Sequence, residues 1–347
     1  MPTLRVAVIG GGFGQQVLVP AFRRDPRAAV ELICMSTEPR ARAVADRLAI
    51  ERASGDWCAV VRDPRIDVVA ISVPPALQAE IAVAAARAGK HVLSEKPMAM
   101  HADDARAMAA AAAAAGVVGA VDFEFREMPA WRRAQELLAA GAIGRLRQAY
   151  VGWRIETYAY RSPQPSWKRE PASGGGALNL FAAHSLDAVA WMLGPIAGVA
   201  ARLSVPAAGA QAGAQAEARV DAWLTLADDT PVTLAIAADA TAASEHRFEV
   251  YGDDGALVLD NRGGDYAAGF TLSLGRRGAP WQPIELPPVE PGTDGRIIAV
   301  GSLVRRVLDA VVARAPVRPS FDDGVAVQRA IDAIREAHRT GTWQRPS

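Results

Sequence analysis

Short apolar runs alternate with amphipathic stretches through the first third of the chain. Residues 4–9, Leu-Arg-Val-Ala-Val-Ile, form a β-branched run that ends in glycines and reads as a buried strand. Similar runs recur at 30–35, 67–73, 91–94 and 117–122. Helical spacing fills the gaps at 15–24, 40–48, 77–88 and 103–115. Pro20 has to be absorbed in an early turn or as a kink. Gly89 is placed to end the helix before it, and Asp103 and Asp104 occupy a first turn, where the helix dipole favours acids. Strands that are apolar throughout and alternate with helices predict a parallel sheet covered on both faces.

Beyond about residue 122 the pattern changes. A helix is predicted at 129–140, a strand at 146–155 and a helix at 176–193 that carries His184, Asp187 and Trp191. Strand-like segments then follow one another at 197–204, 219–226, 232–238, 246–251, 256–259 and 270–274. Asp228-Asp229-Thr230-Pro231 and Gly252-Asp253-Asp254-Gly255 are turn signals between them. Helices near 296–313 and 324–339 close the chain. The alanine-, glycine- and glutamine-rich stretch 207–218 reads as a surface loop. The expected division is an α/β Rossmann domain at 1–122 and an α+β domain at 123–347 with a large, mostly antiparallel open sheet.

Composition narrows the picture by exclusion. Lys plus Arg and Asp plus Glu are 38 each, so nothing in the net charge calls for nucleic acid or an anionic membrane as partner. Two cysteines in 347 residues, neither in a CxxC or Cys/His cluster, are not a disulfide framework or a structural zinc site. The five histidines are scattered without ligand spacing, so no metal is expected. No apolar stretch approaches the roughly 20 residues that cross a bilayer. The start lacks the apolar core of a signal peptide, so a cytoplasmic location is expected.

Candidate chemistry begins at the first turn. Gly10, Gly12 and Gly14, with Phe13 between the last two, lie between a strand and a helix, where backbone N–H groups can meet a pyrophosphate. The match to GxGxxG is imperfect, because the third glycine position is Gln15. At the end of the second strand, where NAD-selective proteins often place an acid, the chain has Ser36 and Thr37, followed by Glu38 and Arg40. A small polar residue with a nearby arginine suits a 2′-phosphate, so the reading favours NADP over NAD.

Residues 89–97, Gly-Lys-His-Val-Leu-Ser-Glu-Lys-Pro, resemble the signature of the Gfo/Idh/MocA family. Further similarity runs in the family's order from about residue 4 to 343. It includes the strand and proline turn ending at Pro74-Pro75, Glu124-Phe-Arg126 with Pro129, and Gly141-Ala-Ile-Gly144. It continues through Gly174-Gly-Gly-Ala-Leu178 with His184 and Asp187, and Val317-Arg-Pro-Ser320 with Asp322-Asp-Gly324. The resemblance implies reversible hydride transfer between NAD(P) and a small polar carbonyl, imine or polyol or sugar-like substrate. It also implies a homodimer or homotetramer built on the open sheet. It places Pro74, Glu95 and Lys96 beside the cofactor. Two other readings are a redox-neutral lyase that uses bound nicotinamide transiently and a non-catalytic dinucleotide-binding sensor.

By the same resemblance Lys96 is the first catalytic candidate, as an acid/base or as a charge that polarises an oxygen. His184 is the second, a proton carrier near neutral pH, and Asp187 on the same helical face orients it or pairs with a neighbour. Where many members have an Asp four residues before this His, the chain has Leu180. The glycine two before it is Ala182, and a usual His after the proline turn is Gln78. The broken Asp/His pair favours carbonyl or imine reduction over sugar oxidation. The segment 153–167 is the expected substrate-facing loop, with Trp153, Arg154, Arg161, Trp167 and two tyrosines. Tyr158 or Tyr160 is a candidate for the proton that Leu180 cannot supply.

Overall fold

The computed structural model describes residues 3–162, 164–206, 215–288 and 292–347. Two compact units divide the chain: 1–124 with 296–328, and 125–295 with 329–347.

The first unit opens with β1 (Leu4–Ile9), then a π-helical turn, Gly14–Leu18, that runs into α1 (Val19–Arg23). Pro20 sits at the start of α1, directly after the π-helical turn. There follow β2 (Ala28–Cys34), α2 (Glu38–Leu48), β3 (Arg52–Ser54), α3 (Trp57–Arg62) and β4 (Val68–Ile71). Next come α4 (Pro75–Arg87), β5 (His91–Ser94), α5 (Ala102–Ala115) and β6 (Gly119–Val121). All pairings are parallel, in the order β3-β2-β1-β4-β5-β6. Val68–Ile71 is buried throughout, as a strand covered on both faces must be. The short β3 and α3 are additions to the pattern read from sequence. β3 is polar and only half-buried. α3 is opened by a cap before the short run Trp57-Cys-Ala-Val-Val61: the Asp56 carboxylate accepts from the N–H groups of Cys58 (2.8 Å) and Ala59 (3.2 Å).

The second unit contains α6 (Pro129–Ala139), β7 (Leu146–Glu156), α7 (Tyr158–Arg161) and a π-helical turn, Leu178–Ala182, that continues as α8 (Ala183–Met192). Seven more strands follow: β8 (Ile196–Ser204), β9 (Arg219–Leu226), β10 (Pro231–Ala237), β11 (Asp239–Gly252), β12 (Gly255–Asn261), β13 (Thr271–Arg276) and β14 (Gln282–Pro283). They join β7 in one sheet, ordered β14-β13-β12-β11-β7-β10-β9-β8. Among the described residues of this sheet only the β7–β10 pairing is parallel. Along β9, Val220, Ala222, Leu224 and Leu226 are buried while Arg219, Asp221 and Trp223 are exposed, so one face of the sheet lies on the core and the other is open. The loop reading of 207–218 lies outside the described residues over 207–214. Its end departs from that reading, because Ala216 and Ala218 are buried.

Two helices complete the chain, α9 (Gly295–Ala313) and α10 (Phe321–Thr340). The first corrects the expected division at residue 122. Val300, Leu303, Val304, Val307, Leu308 and Val311 recur at helical spacing and pack with Val6 and Val8 of β1 and with Leu18 and Phe22. Residues 296–328 therefore belong to the first unit.

Candidate active site

The turn after β1 approaches β4 more closely than a side chain permits. Gly10 has φ +128°, and a Cβ there would lie 1.9 Å from the carbonyl oxygen of Ser72. Gly14 packs against Val8, whose Cγ1 is 3.0 Å from the position a Cβ would take. Gly12 is exposed, with nothing within 4 Å of its Cβ position. A tight turn, an open backbone face and a close helix–strand contact are what a dinucleotide pyrophosphate requires, so these residues fit that group. The sheet order also reverses between β1 and β4, the point where open parallel sheets bind such ligands. Phe13 is half-buried, with the Arg296 guanidinium 6.0 Å from its ring centre. Gln15, in place of a third glycine, accepts a hydrogen bond from Arg47.

Beyond β2 the chain passes through Ser36 and Thr37 into α2. Arg40 donates to the Ser36 hydroxyl at 3.2 Å, and residues 36–40 are all exposed. The structure thus brings Ser36 and Arg40 together at the end of the second strand, with Thr37 extended between them at the helix N-cap.

Lys96 follows β5 in a turn held from three sides. The Glu95 N–H donates to Ile71 O (2.9 Å), and the Lys96 N–H donates to Glu95 Oε2 (3.0 Å). Gln78, one turn beyond the half-buried Pro74, is 1% exposed; it donates to Pro97 O (2.7 Å) and accepts from the Ser94 hydroxyl (2.9 Å). One amide therefore clasps both ends of Ser94-Glu-Lys-Pro97, whose Lys96–Pro97 bond is cis. The residue replacing the family's frequent His is a brace for the lysine turn.

Asp122, just past β6, has no exposed surface, and neither carboxylate oxygen receives a hydrogen bond from a described residue. Burial holds its carboxyl well above the usual range; the neighbouring Glu95 and Glu124 carboxylates add to this, and Lys96 opposes it. No sequence motif singles out this residue. The one available signal was an acid directly after an apolar strand.

In the second unit, Gly176 at φ +108° leads into the π-turn before α8, and a Cβ there would collide with the Glu217 carboxylate. Glu217 Oε1 accepts from the Leu178 N–H at 3.0 Å. Burial raises the Glu217 pKa. His184 is buried and stacks face to face on Phe125, with ring centroids 4.4 Å apart and 9° between planes. Asp187 accepts two hydrogen bonds from Arg126, at 2.6 Å from Nη2 and 3.0 Å from Nε, and both side chains are buried. Asp187 thus pairs with a neighbour, Arg126. Sequence reading noted Arg126 only as part of a motif; its partner lies 61 residues away.

The segment 153–167 is not one loop. Trp153 belongs to β7 and to the core, stacked on His246 at 4.1 Å and 6°. Strand alternation turns its ring inward and leaves Arg154 outside, bonded to Glu245 (3.2 Å). Tyr158 is 69% exposed. The Tyr160 hydroxyl donates to Glu217 O at 3.1 Å, and burial pushes its pKa up. Arg161 is exposed and Trp167 half-buried. Among the described residues no group of three or more His, Cys, Asp or Glu is placed to hold a metal ion, and no helix is long and apolar enough to cross a membrane.

Two family models match this chain. The oxidoreductase family model with an NAD-binding Rossmann fold covers residues 4–123, and the GFO/IDH/MocA C-terminal domain covers 131–258. An uncharacterized oxidoreductase of Synechocystis sp. is 33% identical over 99% of this chain and 96% of its own length. The levoglucosan dehydrogenase of Pseudarthrobacter phenanthrenivorans is 28% identical over 99% of this chain and 98% of its own. A levoglucosan dehydrogenase structure in complex with NADH and L-sorbose superposes with a TM-score of 0.90 at 26% identity, covering 100% of both chains. With both halves matched by the family and a relative similar over nearly its whole length, this chain belongs to the GFO/IDH/MocA family of oxidoreductases, as its Gly-Lys-His-Val-Leu-Ser-Glu-Lys-Pro segment suggested.

Proposed function

We propose that the protein is a cytoplasmic, nicotinamide-dependent oxidoreductase that interconverts a secondary alcohol and a carbonyl on a small sugar-like or polyol substrate. The observation that carries this reading is the likeness, along the whole chain, to levoglucosan dehydrogenase, a protein solved with NADH and L-sorbose. The open face at Gly12, between the tight contacts at Gly10 and Gly14, supports the cofactor half of the proposal. When bound, the dinucleotide supplies or accepts the hydride.

The chain's own residues do the rest. Gly10, Gly12, Phe13 and Gly14 hold the pyrophosphate, with Pro74 and Glu95 lining the same end of the sheet. Ser36, Thr37 and Arg40 take the adenosine ribose, and the Arg40–Ser36 pair favours a 2′-phosphate, hence NADPH over NADH. Lys96 carries the proton at the substrate oxygen. His184 is the second proton carrier, kept in one orientation by its stack on Phe125. Asp187 fixes α8 through Arg126. Tyr158 remains a candidate for substrate contact, whereas the Tyr160 hydroxyl already has a backbone acceptor. The open sheet face, with Trp223 56% exposed, suits a second copy of the chain.

A panel of levoglucosan, L-sorbose and related polyols and sugars, followed by reduced-nicotinamide absorbance, tests the proposal. Turnover of at least one compound is expected, together with its loss in a folded Lys96→Ala variant. A variant that keeps full activity would remove Lys96 from the mechanism.

A further inference from the structure

The strongest unassigned feature is the carboxyl group of Asp122. The parallel pairing of β5 with β6 sets Ser94 against Val121, which leaves Glu95 and Asp122 side by side where the two strands end. The main chain there is fixed: the Asp122 N–H donates to Ser94 O at 2.8 Å, and the Glu95 N–H is held by Ile71 O. Glu95 turns back on its own loop, so that Oε2 meets the Lys96 N–H. Packing around these strand ends is tight. Phe123 and Met98 are each 1% exposed, and Gly324 of α10 lies so close that a Cβ would meet Met98 Sδ at 2.0 Å and Val121 Cγ2 at 2.8 Å.

The charged groups facing Asp122 are Glu95 and Lys96 from the turn after β5 and Glu124 from the turn after β6. At the start of α10, Asp323 is instead taken up by Arg318 and by Ser320. A fully buried carboxylate with no donor is among the costliest groups a fold can hold. The Glu95 side chain is within hydrogen-bonding reach of it. Two carboxylates cannot bond to each other unless one of them holds a proton.

We propose that Asp122 and Glu95 share one proton at neutral pH and act as a positioning pair for Lys96. The shared proton lowers the pair from two negative charges to one. That single charge faces the half-buried Lys96, so the pair and Lys96 together carry no net charge. Asp122 touches neither substrate nor cofactor in this scheme and acts through Glu95 and Lys96. Only this consequence rests on the catalytic role given to Lys96. The shared proton itself is a property of the nucleotide-free protein, so it is tested separately from turnover.

Infrared spectra of the full-length, nucleotide-free protein at neutral pH read it directly. The wild-type protein is expected to show the C=O stretch of a protonated carboxylic acid, and the band is expected to disappear in both Asp122→Asn and Glu95→Gln. Thermal melting checks that each variant is folded, and if one is not, the wild type and the other variant carry the comparison. Absence of the band from the wild type would overturn the proposal. So would its survival in Glu95→Gln, which would mean that Asp122 is protonated by burial alone. Survival in Asp122→Asn would assign the band to another carboxyl, such as the half-buried Glu217, whose pKa burial raises, and would also overturn it.

Discussion

Asp187 and Arg126 illustrate how a side chain near a candidate site can serve the fold. Each is buried, and they meet through two hydrogen bonds. Truncating Asp187 to alanine removes the bidentate partner of a buried guanidinium and is expected to cost about 3–5 kcal/mol in urea unfolding. Asp187→Asn keeps the shape and loses the charge, so its loss should be smaller. A loss within ~0.5 kcal/mol for the alanine variant would argue against a structural role. His246 makes a pH prediction. It is buried between Trp153 and other rings, neither ring nitrogen has a hydrogen-bond partner among the described residues, and burial lowers its pKa from 6.5 to about 3. The unfolded chain therefore takes up a proton that the folded one refuses. Stability is at its full value above pH 6.5 and falls as the pH drops toward 3, by roughly 1.4 kcal/mol per pH unit from this group. In His246→Phe the stability profile across that window should be shallower; an unchanged slope would refute the assignment. Lys96 and His184 stand out in the sequence because motifs carry them, and their proposed roles rest on those motifs. Gln78 was visible as a departure without a role. Asp122, Arg126 and Glu217 were not legible, because each owes its importance to burial beside residues remote in the chain or to a neighbouring strand end.

At the scale of elements, the glycine turn separates two effects that sequence alone merges. Gly10→Ala puts a methyl group against the Ser72 carbonyl and forces a side chain to φ +128°, so both stability and nucleotide affinity should fall. Gly12→Ala meets no atom within 4 Å. Its melting temperature should stay close to wild type while affinity for NADPH drops, because the methyl group occupies the face the pyrophosphate approaches. A Gly12→Ala protein that binds NADPH as well as wild type would show that the ligand does not approach this turn. The elements legible in the sequence were those with long apolar or helical periodicity: β1, β5, β9 and α5 lie where the pattern put them, within a residue. The missed ones, β3, α3, α7 and β14, are two to six residues long, too short for periodicity to mark. The π-turns before α1 and α8 were also beyond periodicity, since they insert extra residues into otherwise helical runs.

At the scale of the whole molecule, the first unit is completed from the far end of the chain. α9 places seven buried apolar side chains in its core, six of them Val or Leu, and burial of each Val or Leu contributes roughly 1.5–3 kcal/mol. Residues 1–122 expressed alone should therefore lack a cooperative unfolding transition, whereas the full chain should have one; cooperative unfolding of the short piece would contradict this role for α9. The boundary at residue 122 looked natural in sequence because the βα alternation stops there, and local periodicity does not say which sheet a distant helix covers. The central claim, a nicotinamide-dependent enzyme, is tested most directly by calorimetric titration of the full-length protein, freed of co-purified nucleotide, with NADPH and then NADH. Binding of NADPH, tighter than NADH, is the expected result. A folded protein that binds neither would contradict the proposed function at its base.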